Sequence, residues 1–143
     1  STFTEIKNFE YSNYQATENS SLVLNKNQVD SNIKNKVFEL VDARSKERFQ
    51  GEQPEFRKEL KSGNIEGSKN LPFIELINKS DKTFKEKNKL IDIFKKHRID
   101  INKNLAFTCG SGITACVLGL ANSIISGKKP VIYDGSWAEY GLK

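Results

Sequence analysis

Residues 105–116 read Leu105-Ala106-Phe107-Thr108-Cys109-Gly110-Ser111-Gly112-Ile113-Thr114-Ala115-Cys116, an apolar run that ends at a cysteine and enters a glycine-containing turn. The apolar residues before Cys109 predict a buried strand, and the spacing of apolar residues after the turn predicts a helix that ends at Gly127. Strand, turn and helix in this order form the repeating unit of parallel α/β sheets. We therefore predict a parallel sheet with Cys109 beyond the carboxyl end of one strand, where ligands bind in such sheets.

The turn has the composition of an anion-binding loop around one thiol. Gly110 and Gly112 permit backbone conformations with φ > 0, so that successive N–H groups can converge on a point beside Cys109. The following helix directs the positive end of its dipole at the same point. Both effects favour a thiolate over a thiol, which makes Cys109 the predicted nucleophile.

Two other chemistries use a similar turn. A loop of the tyrosine-phosphatase type has an arginine at the sixth residue after its cysteine to clamp phosphate, and that position is Ala115 here. The run from Gly110 to Ala115 also satisfies the dinucleotide fingerprint G-x-G-x-x-G/A, with Asp134 after the next predicted strand. Placement argues against a dinucleotide, because the fingerprint normally opens its domain and only nine residues follow Asp134.

Five motifs occur in the order and spacing of one known family. They are residues 41–44, 48–57, 63–73, 109–116 and 133–137. Together they resemble the 3-mercaptopyruvate sulfurtransferases of the rhodanese family from about residue 22 to Lys143, and specifically the C-terminal, catalytic half of these two-domain enzymes. The resemblance implies an α/β rhodanese-like domain with a central, mostly parallel sheet and helices on both faces. It also implies a partner outside this sequence, the N-terminal rhodanese-like domain.

The resemblance further implies a reaction and the residues that perform it. Cys109 takes a sulfur atom from 3-mercaptopyruvate as a persulfide, pyruvate leaves, and a thiol acceptor such as thioredoxin or a small thiol, or else cyanide, collects the sulfur. Arg48 and Arg57 match positions that hold the substrate, and Ser111 assists the leaving enolate. The other loop residues expected to bind substrate or persulfide are Gly110, Gly112, Ile113 and Thr114.

Two alternatives stay open beside this reaction. One is thiosulfate as the donor, although relatives that prefer thiosulfate tend to carry basic residues where this chain has Gly110 and Ser111. The other is a rhodanese module that carries a persulfide or binds a partner without catalysis.

The arginines are concentrated in one region. Three of the four, Arg44, Arg48 and Arg57, lie within fourteen residues. A guanidinium presents a planar fork that suits a carboxylate-bearing ligand. We predict an ion pair with a neighbouring acidic residue for Arg44, and ligand binding instead of ion pairing for Arg48 and Arg57. Without a second domain over the cleft, Cys109 and these two arginines are expected to face bulk water.

Length and composition indicate one domain. A chain of 143 residues with 36% hydrophobic content buries about two-thirds of its unfolded surface. We predict a linker-like segment over residues 1–20 and the catalytic domain over residues 21–143. The net charge of +5 comes from dispersed lysines, and those between Lys82 and Lys96 alternate with apolar residues at helical spacing, which predicts the solvated face of an amphipathic helix, not a nucleic-acid site. No apolar run reaches the roughly 20 residues that span a bilayer, so no membrane partner is predicted.

Cysteine and histidine are scarce. Two cysteines and one histidine predict neither a disulfide framework nor a zinc site, and no cofactor or metal is expected. A reducing compartment, cytoplasmic or mitochondrial, suits this usage. Cys116 is predicted to be a small buried hydrophobe, with a redox role as the alternative, and His97 to lie in the cationic last turn of a helix.

The pattern along the chain predicts alternating strands and helices. The predicted strands are Leu22–Leu24, Val37–Val41, Leu105–Thr108 and Val131–Tyr133. The predicted helices are Asn25–Ile33 with Asn25 as its cap, Ser45–Phe49, a short segment from Leu71, Thr83–Lys96, Thr114–Ser126 and Ser136–Tyr140.

Overall fold

The computed structural model describes residues 10–143, in which five strands form one parallel sheet. The strands are β1 (Val23–Leu24), β2 (Glu39–Asp42), β3 (Lys69–Asn70), β4 (Leu105–Thr108) and β5 (Ile132–Tyr133), in the spatial order β1-β5-β4-β2-β3. The helices are α1 (Lys26–Asn35), α2 (Lys46–Gln50), α3 (Lys87–Lys96), α4 (Ile113–Ser126) and α5 (Ser136–Tyr140), with 3₁₀ turns at Ser20–Leu22 and Phe73–Leu76. Residues 10–19 are exposed and have no regular structure, while the rest of the predicted linker, residues 1–9, lies outside the described residues.

Strand β4 is the centre of the core. All four of its residues are buried, between β2 on one side and β5 on the other. Leu105, Phe107 and then Cys109 pack into the cluster formed with α3 and α4, whereas Ala106 packs into the cluster formed with α1 and α5. This alternation confirms the predicted sheet with helices on both faces, and the sheet is parallel throughout.

Helix α4 approaches the sheet closely. An added Cβ at Gly119 would lie 2.8 Å from Cβ of Pro130 and 3.2 Å from Cδ1 of Ile132. The helix carries no charged residue, and its four exposed residues are all apolar, namely Ile113, Cys116, Leu120 and Ile124. No helix of the described residues is long and apolar enough to cross a membrane.

The two other long helices differ from expectation at one end each. Helix α1 begins as predicted, because Asn25 and Gln28 cap each other through side-chain to backbone hydrogen bonds of 3.0 and 2.9 Å. It continues to Asn35, two residues past the predicted end. Helix α3 begins at Lys87 and not at Thr83, because Phe84 pairs with Ile77 in an antiparallel bridge that holds this part of the amphipathic pattern extended.

The strands are shorter than predicted at three places. Leu22 belongs to a 3₁₀ turn capped by Asn19, so β1 keeps only two residues. Strand β2 begins at Glu39, and β5 at Ile132. Strand β3 was not predicted, since its two polar residues carry no apolar pattern and its place is fixed only by pairing with β2.

We predict that Gly119→Ala destabilises the fold by about 1–2 kcal/mol. Overpacking typically costs about 1–3 kcal/mol, and the better helix propensity of alanine offsets up to about 1 kcal/mol of that cost. Urea denaturation followed by circular dichroism measures the change. Leu120→Ala, one residue away on the exposed face, is the matched control and should change stability by less than about 0.5 kcal/mol. Equal effects of the two substitutions would contradict the close approach at Gly119.

Candidate active site

Cys109 lies immediately after β4, at the carboxyl edge of the sheet, and is only 2% exposed. Its surroundings are the apolar residues between the sheet and α4, including Phe107 and Ala115. The expectation that Cys109 faces bulk water in this domain alone is therefore wrong. Because side chains alternate between the two faces of the sheet along β4, the Cys109 side chain points into the core. Its burial therefore needs no second domain.

The backbone around Cys109 is held by the beginning of α5. The N–H groups of Trp137 and Ala138 donate to the carbonyl oxygens of Cys109 and Gly110, at 2.9 and 2.8 Å. The N–H of Cys109 itself donates to Oγ of Ser136, at 3.1 Å. The first part of the loop is thus tied to the last helix of the chain.

The two loop glycines serve different purposes. Gly112 has φ +83°, and an added Cβ would lie 3.1 Å from two oxygens of Asp134, so both conformation and space require glycine. Gly110 does not have a positive φ, and the expectation of one is wrong. A side chain at Gly110 would instead crowd a neighbour, because an added Cβ would lie 3.2 Å from Nη2 of Arg48.

The loop presents a row of unsatisfied donors. From Gly110 to Thr114, no backbone N–H donates to an acceptor among residues 10–143. Helix α4 begins at Ile113, one residue before the predicted start, with no side-chain cap and no acidic residue in its first turn. Unpaired N–H groups at a helix N-terminus favour an anion, by hydrogen bonding and by the helix dipole.

A chain of buried charges runs from the sheet to this loop. Arg44 donates to Asp42 at 2.7 Å and to Glu55 at 2.8 Å, and all three side chains are only 1% exposed. Glu55 also accepts from Nη2 of Arg48 at 2.5 Å. The guanidinium of Arg44 lies over the ring of Trp137, 4.5 Å from its centroid. The predicted ion pair of Arg44 with a neighbouring acidic residue is confirmed, with Asp42 and Glu55 as its partners, and Trp137 is a site residue without a predicted role.

Arg48 and Arg57 are placed differently. The prediction that Arg48 is free of ion pairs is wrong, because its Nε and Nη2 both donate to Glu55. Nη1 of Arg48 donates to no acceptor among the described residues; it would lie 3.8 Å from a Cβ added at Gly110, and the paired Nη2 would lie 3.2 Å from it. The side chain of Arg57 is exposed and makes no ion pair or hydrogen bond within residues 10–143.

The remaining candidates fall on the surface or away from the loop. Ser111 and Ile113 are exposed, and Thr114 is half-buried. The prediction of a buried Cys116 is wrong: it lies on the exposed face of α4, and its Sγ is 3.4 Å from the carbonyl oxygen of Gly112. His97 ends α3 as predicted and contacts Glu75 and the Asn70 carbonyl.

The segment that leads into α5 is closed by a hydrogen bond from the Tyr133 hydroxyl to Oε2 of Glu139, at 2.6 Å. Burial, together with the bond to Glu139, raises the pKa of the Tyr133 hydroxyl above its ordinary value. The hydroxyl therefore keeps its proton at physiological pH and remains the donor.

Comparison with known proteins identifies a family and several relatives of this chain. Residues 25–143 match the family described as Rhodanese-like domain. The 3-mercaptopyruvate sulfurtransferase of Mus musculus is 37% identical over 131 residues, which make up 91% of this chain and 43% of that protein. The thiosulfate sulfurtransferase of Mus musculus is 39% identical over 128 residues, 89% of this chain and 43% of that protein.

A solved structure agrees with these matches. The crystal structure of SseA from Escherichia coli, described in terms of the rhodanese fold and the catalytic mechanism of 3-mercaptopyruvate sulfotransferases, is similar with a TM-score of 0.72 and 30% identity. The match covers 87% of this chain and 45% of that one. The chain thus spans less than half the length of these relatives.

We predict that Glu55→Gln lowers the free energy of unfolding by about 3–5 kcal/mol, the usual cost of breaking a buried ion pair from one side. The amide leaves Arg44 and Arg48 without the carboxylate between them. Chemical denaturation measures the loss. Lys26→Gln breaks the exposed pair with Asp30 and, since such pairs contribute little, should leave the denaturation midpoint unchanged. A Glu55→Gln midpoint equal to that of the parent chain would contradict the buried bridge.

Proposed function

Since this chain belongs to the rhodanese-like domain family, we propose that it is a sulfurtransferase domain in which Cys109 takes up a sulfur atom as a persulfide and passes it to a thiol. The observation that carries the proposal is the loop from Gly110 to Thr114, which directly follows Cys109 and whose backbone N–H groups have no acceptor among the described residues. A thiolate and a persulfide anion are the acceptors that such a loop suits.

The proposed reaction has two displacements at sulfur. The Cys109 thiolate attacks the sulfur of 3-mercaptopyruvate, the carbon–sulfur bond breaks, and its electron pair leaves with pyruvate as the enolate, which is then protonated. An acceptor thiolate next attacks the outer sulfur of the persulfide, and Cys109 departs as a thiolate. The loop stabilises the negative charge on Cys109 before the first step and after the second.

Arg48 is proposed to bind the donor. Glu55 holds two of its nitrogens, while Nη1 stays available beside Gly110 for the carboxylate or carbonyl of the substrate. Ser111, exposed on the loop, is proposed to donate its hydroxyl to the leaving enolate. Arg57, which is exposed, is proposed as a second substrate cation on the strength of the family motif.

Thiosulfate is the second candidate donor. The observation in its favour is a relative at 39% identity that is named thiosulfate sulfurtransferase. The observation against it is the uncharged pair Gly110 and Ser111, because the dianion thiosulfate is stabilised more by cations at these positions than the monoanion 3-mercaptopyruvate is. We propose 3-mercaptopyruvate as the donor, a thiol such as thioredoxin or a small thiol as the acceptor, and an N-terminal rhodanese-like domain as the structural partner.

The first prediction is that Cys109→Ser abolishes persulfide formation and leaves the fold intact, because the change removes the nucleophile with little change in volume. The chain is mixed with 3-mercaptopyruvate or with thiosulfate, alkylated, and analysed by mass spectrometry for an added sulfur on each cysteine. Cys116→Ser is the matched control and should retain the persulfide. Sulfur on Cys116, or on neither cysteine with either donor, would refute the proposal, and a larger yield with thiosulfate would reverse the donor assignment.

The second prediction concerns the arginines. Arg48→Ala and Arg57→Ala should each raise the KM for 3-mercaptopyruvate by about 10- to 100-fold, because a hydrogen bond to a charged group contributes about 1.5–3 kcal/mol. Steady-state pyruvate release gives KM. Arg98→Ala replaces the fourth arginine of the chain, which is exposed at the end of α3, and should leave KM unchanged. A KM equal to that of the parent chain in both variants would assign Arg48 to structure and Arg57 to the surface.

A further inference from the structure

We propose that the first turn of α5 positions the donors of the Cys109 loop, with Ser136 as the positioning residue. It does so by fixing the carbonyl groups of Cys109 and Gly110 on the α5 side of the loop. This inference rests on the proposed function, because it assigns the loop donors to the Cys109 sulfur.

The direction of the donors follows from peptide geometry. In a trans peptide the N–H points opposite to the C=O of the same unit. The structure has no cis peptide among its described residues. Because the Cys109 and Gly110 carbonyls point at the N–H groups of α5, the N–H groups of Gly110 and Ser111 point away from α5.

The side away from α5 is the side of the sulfur. The side chain of Cys109 packs with the cluster of α3 and α4, whereas Trp137 of α5 packs with the opposite cluster, on the other face of the sheet. The N–H groups of Gly110 and Ser111 are therefore turned to the face on which Cys109 lies. Helix α5 acts on the reacting atom through the backbone, from the far side of the sheet.

Ser136 joins the turn to the strand. Its hydroxyl is fully buried, donates to the Tyr133 carbonyl at 2.9 Å, and accepts from the Cys109 N–H at 3.1 Å and the Thr108 hydroxyl at 3.2 Å. Its backbone has φ +49°, a conformation that is costly for a residue other than glycine. A glycine would relieve that cost and lose all three hydrogen bonds, so the serine is explained by its hydroxyl and not by its backbone.

Loss of the turn and loss of Arg48 are expected to change different kinetic constants. The turn makes no hydrogen bond to the side chains proposed to bind the donor, those of Arg48, Arg57 and Ser111, so its loss should lower the rate of persulfide formation and leave KM unchanged. Loss of Arg48 should do the reverse. A purely structural role for Ser136 would change stability and neither kinetic constant.

The test uses the 143-residue chain carrying Cys116→Ser, so that Cys109 is the only thiol. Ser136→Gly is the main variant, because glycine keeps the positive φ and the fold. We expect persulfide formation to slow by about 10- to 100-fold, the range associated with a small displacement of catalytic groups, with KM within about twofold of the parent. We also expect the pH profile of Cys109 alkylation by iodoacetamide to move to higher pH. Ser68→Ala removes a hydroxyl that likewise donates to the carbonyl three residues earlier, and should change neither readout.

A second variant removes a different bond of the same turn. Ala138→Pro deletes the N–H that donates to the Gly110 carbonyl, and no hydrogen bond within α5 is lost with it. It should shift the alkylation profile in the same direction as Ser136→Gly. If both folded variants alkylate with the parent profile, the positioning role is wrong even when Cys109 forms a persulfide. If the parent forms no persulfide, the proposed function fails, while the alkylation profiles still decide whether the turn acts on the thiol.

Discussion

The backbone hydrogen bonds of strand β4 are the constraint on which the rest of the structure depends. The strand lies between β2 and β5, and its last carbonyl, that of Thr108, accepts from the Ala43 N–H at 2.9 Å. One residue later the partners change, because the carbonyls of Cys109 and Gly110 accept from α5. The sheet therefore sets the side on which the Cys109 side chain lies, and α5 sets the direction of the N–H groups that follow. Together they hold a loop whose free donors are backbone N–H groups.

The buried charged side chains supply a cation beside the loop, which the backbone cannot provide. A carboxylate or guanidinium removed from water is stable only when it is paired, and Asp42, Arg44, Glu55 and Arg48 alternate in sign from the sheet to the loop. Because two carboxylates alternate with two guanidinium groups, the four side chains together carry no net formal charge. Only its last member, Arg48, reaches the loop, and it does so with two of its nitrogens already fixed by Glu55. A guanidinium held in this way binds a carboxylate with little further loss of side-chain freedom.

The sequence predicted those parts of the fold and site that local patterns determine. The strand β4 and the cap at Asn25 each depend on neighbours a few residues away, and both predictions are confirmed. In the turn after Cys109, only Gly112 has the predicted positive φ. Contacts between distant segments do not follow from local patterns. Several acidic residues lie near Arg48 in the sequence, and only the packed structure shows that Glu55 is its partner. A side chain at Gly110 would crowd Arg48, and the local sequence does not show this contact. Cys116 was assigned to the core because it is small and apolar, but the helical period places it with Ile113 and Leu120 on an outer face without charge.

The order of the strands has a consequence for how the chain is made. Strand β1 pairs with β5, so that Val23 lies opposite Ile132, and the turn that organises the Cys109 loop follows directly after β5. A chain that leaves the ribosome from its N-terminus cannot complete either feature until residues 132–138 have emerged. During that interval β4 lacks its neighbour on one side, and the carbonyl groups of Cys109 and Gly110 lack their donors from α5. The loop after Cys109 is thus held in place only once the segment that follows β5 has been synthesised.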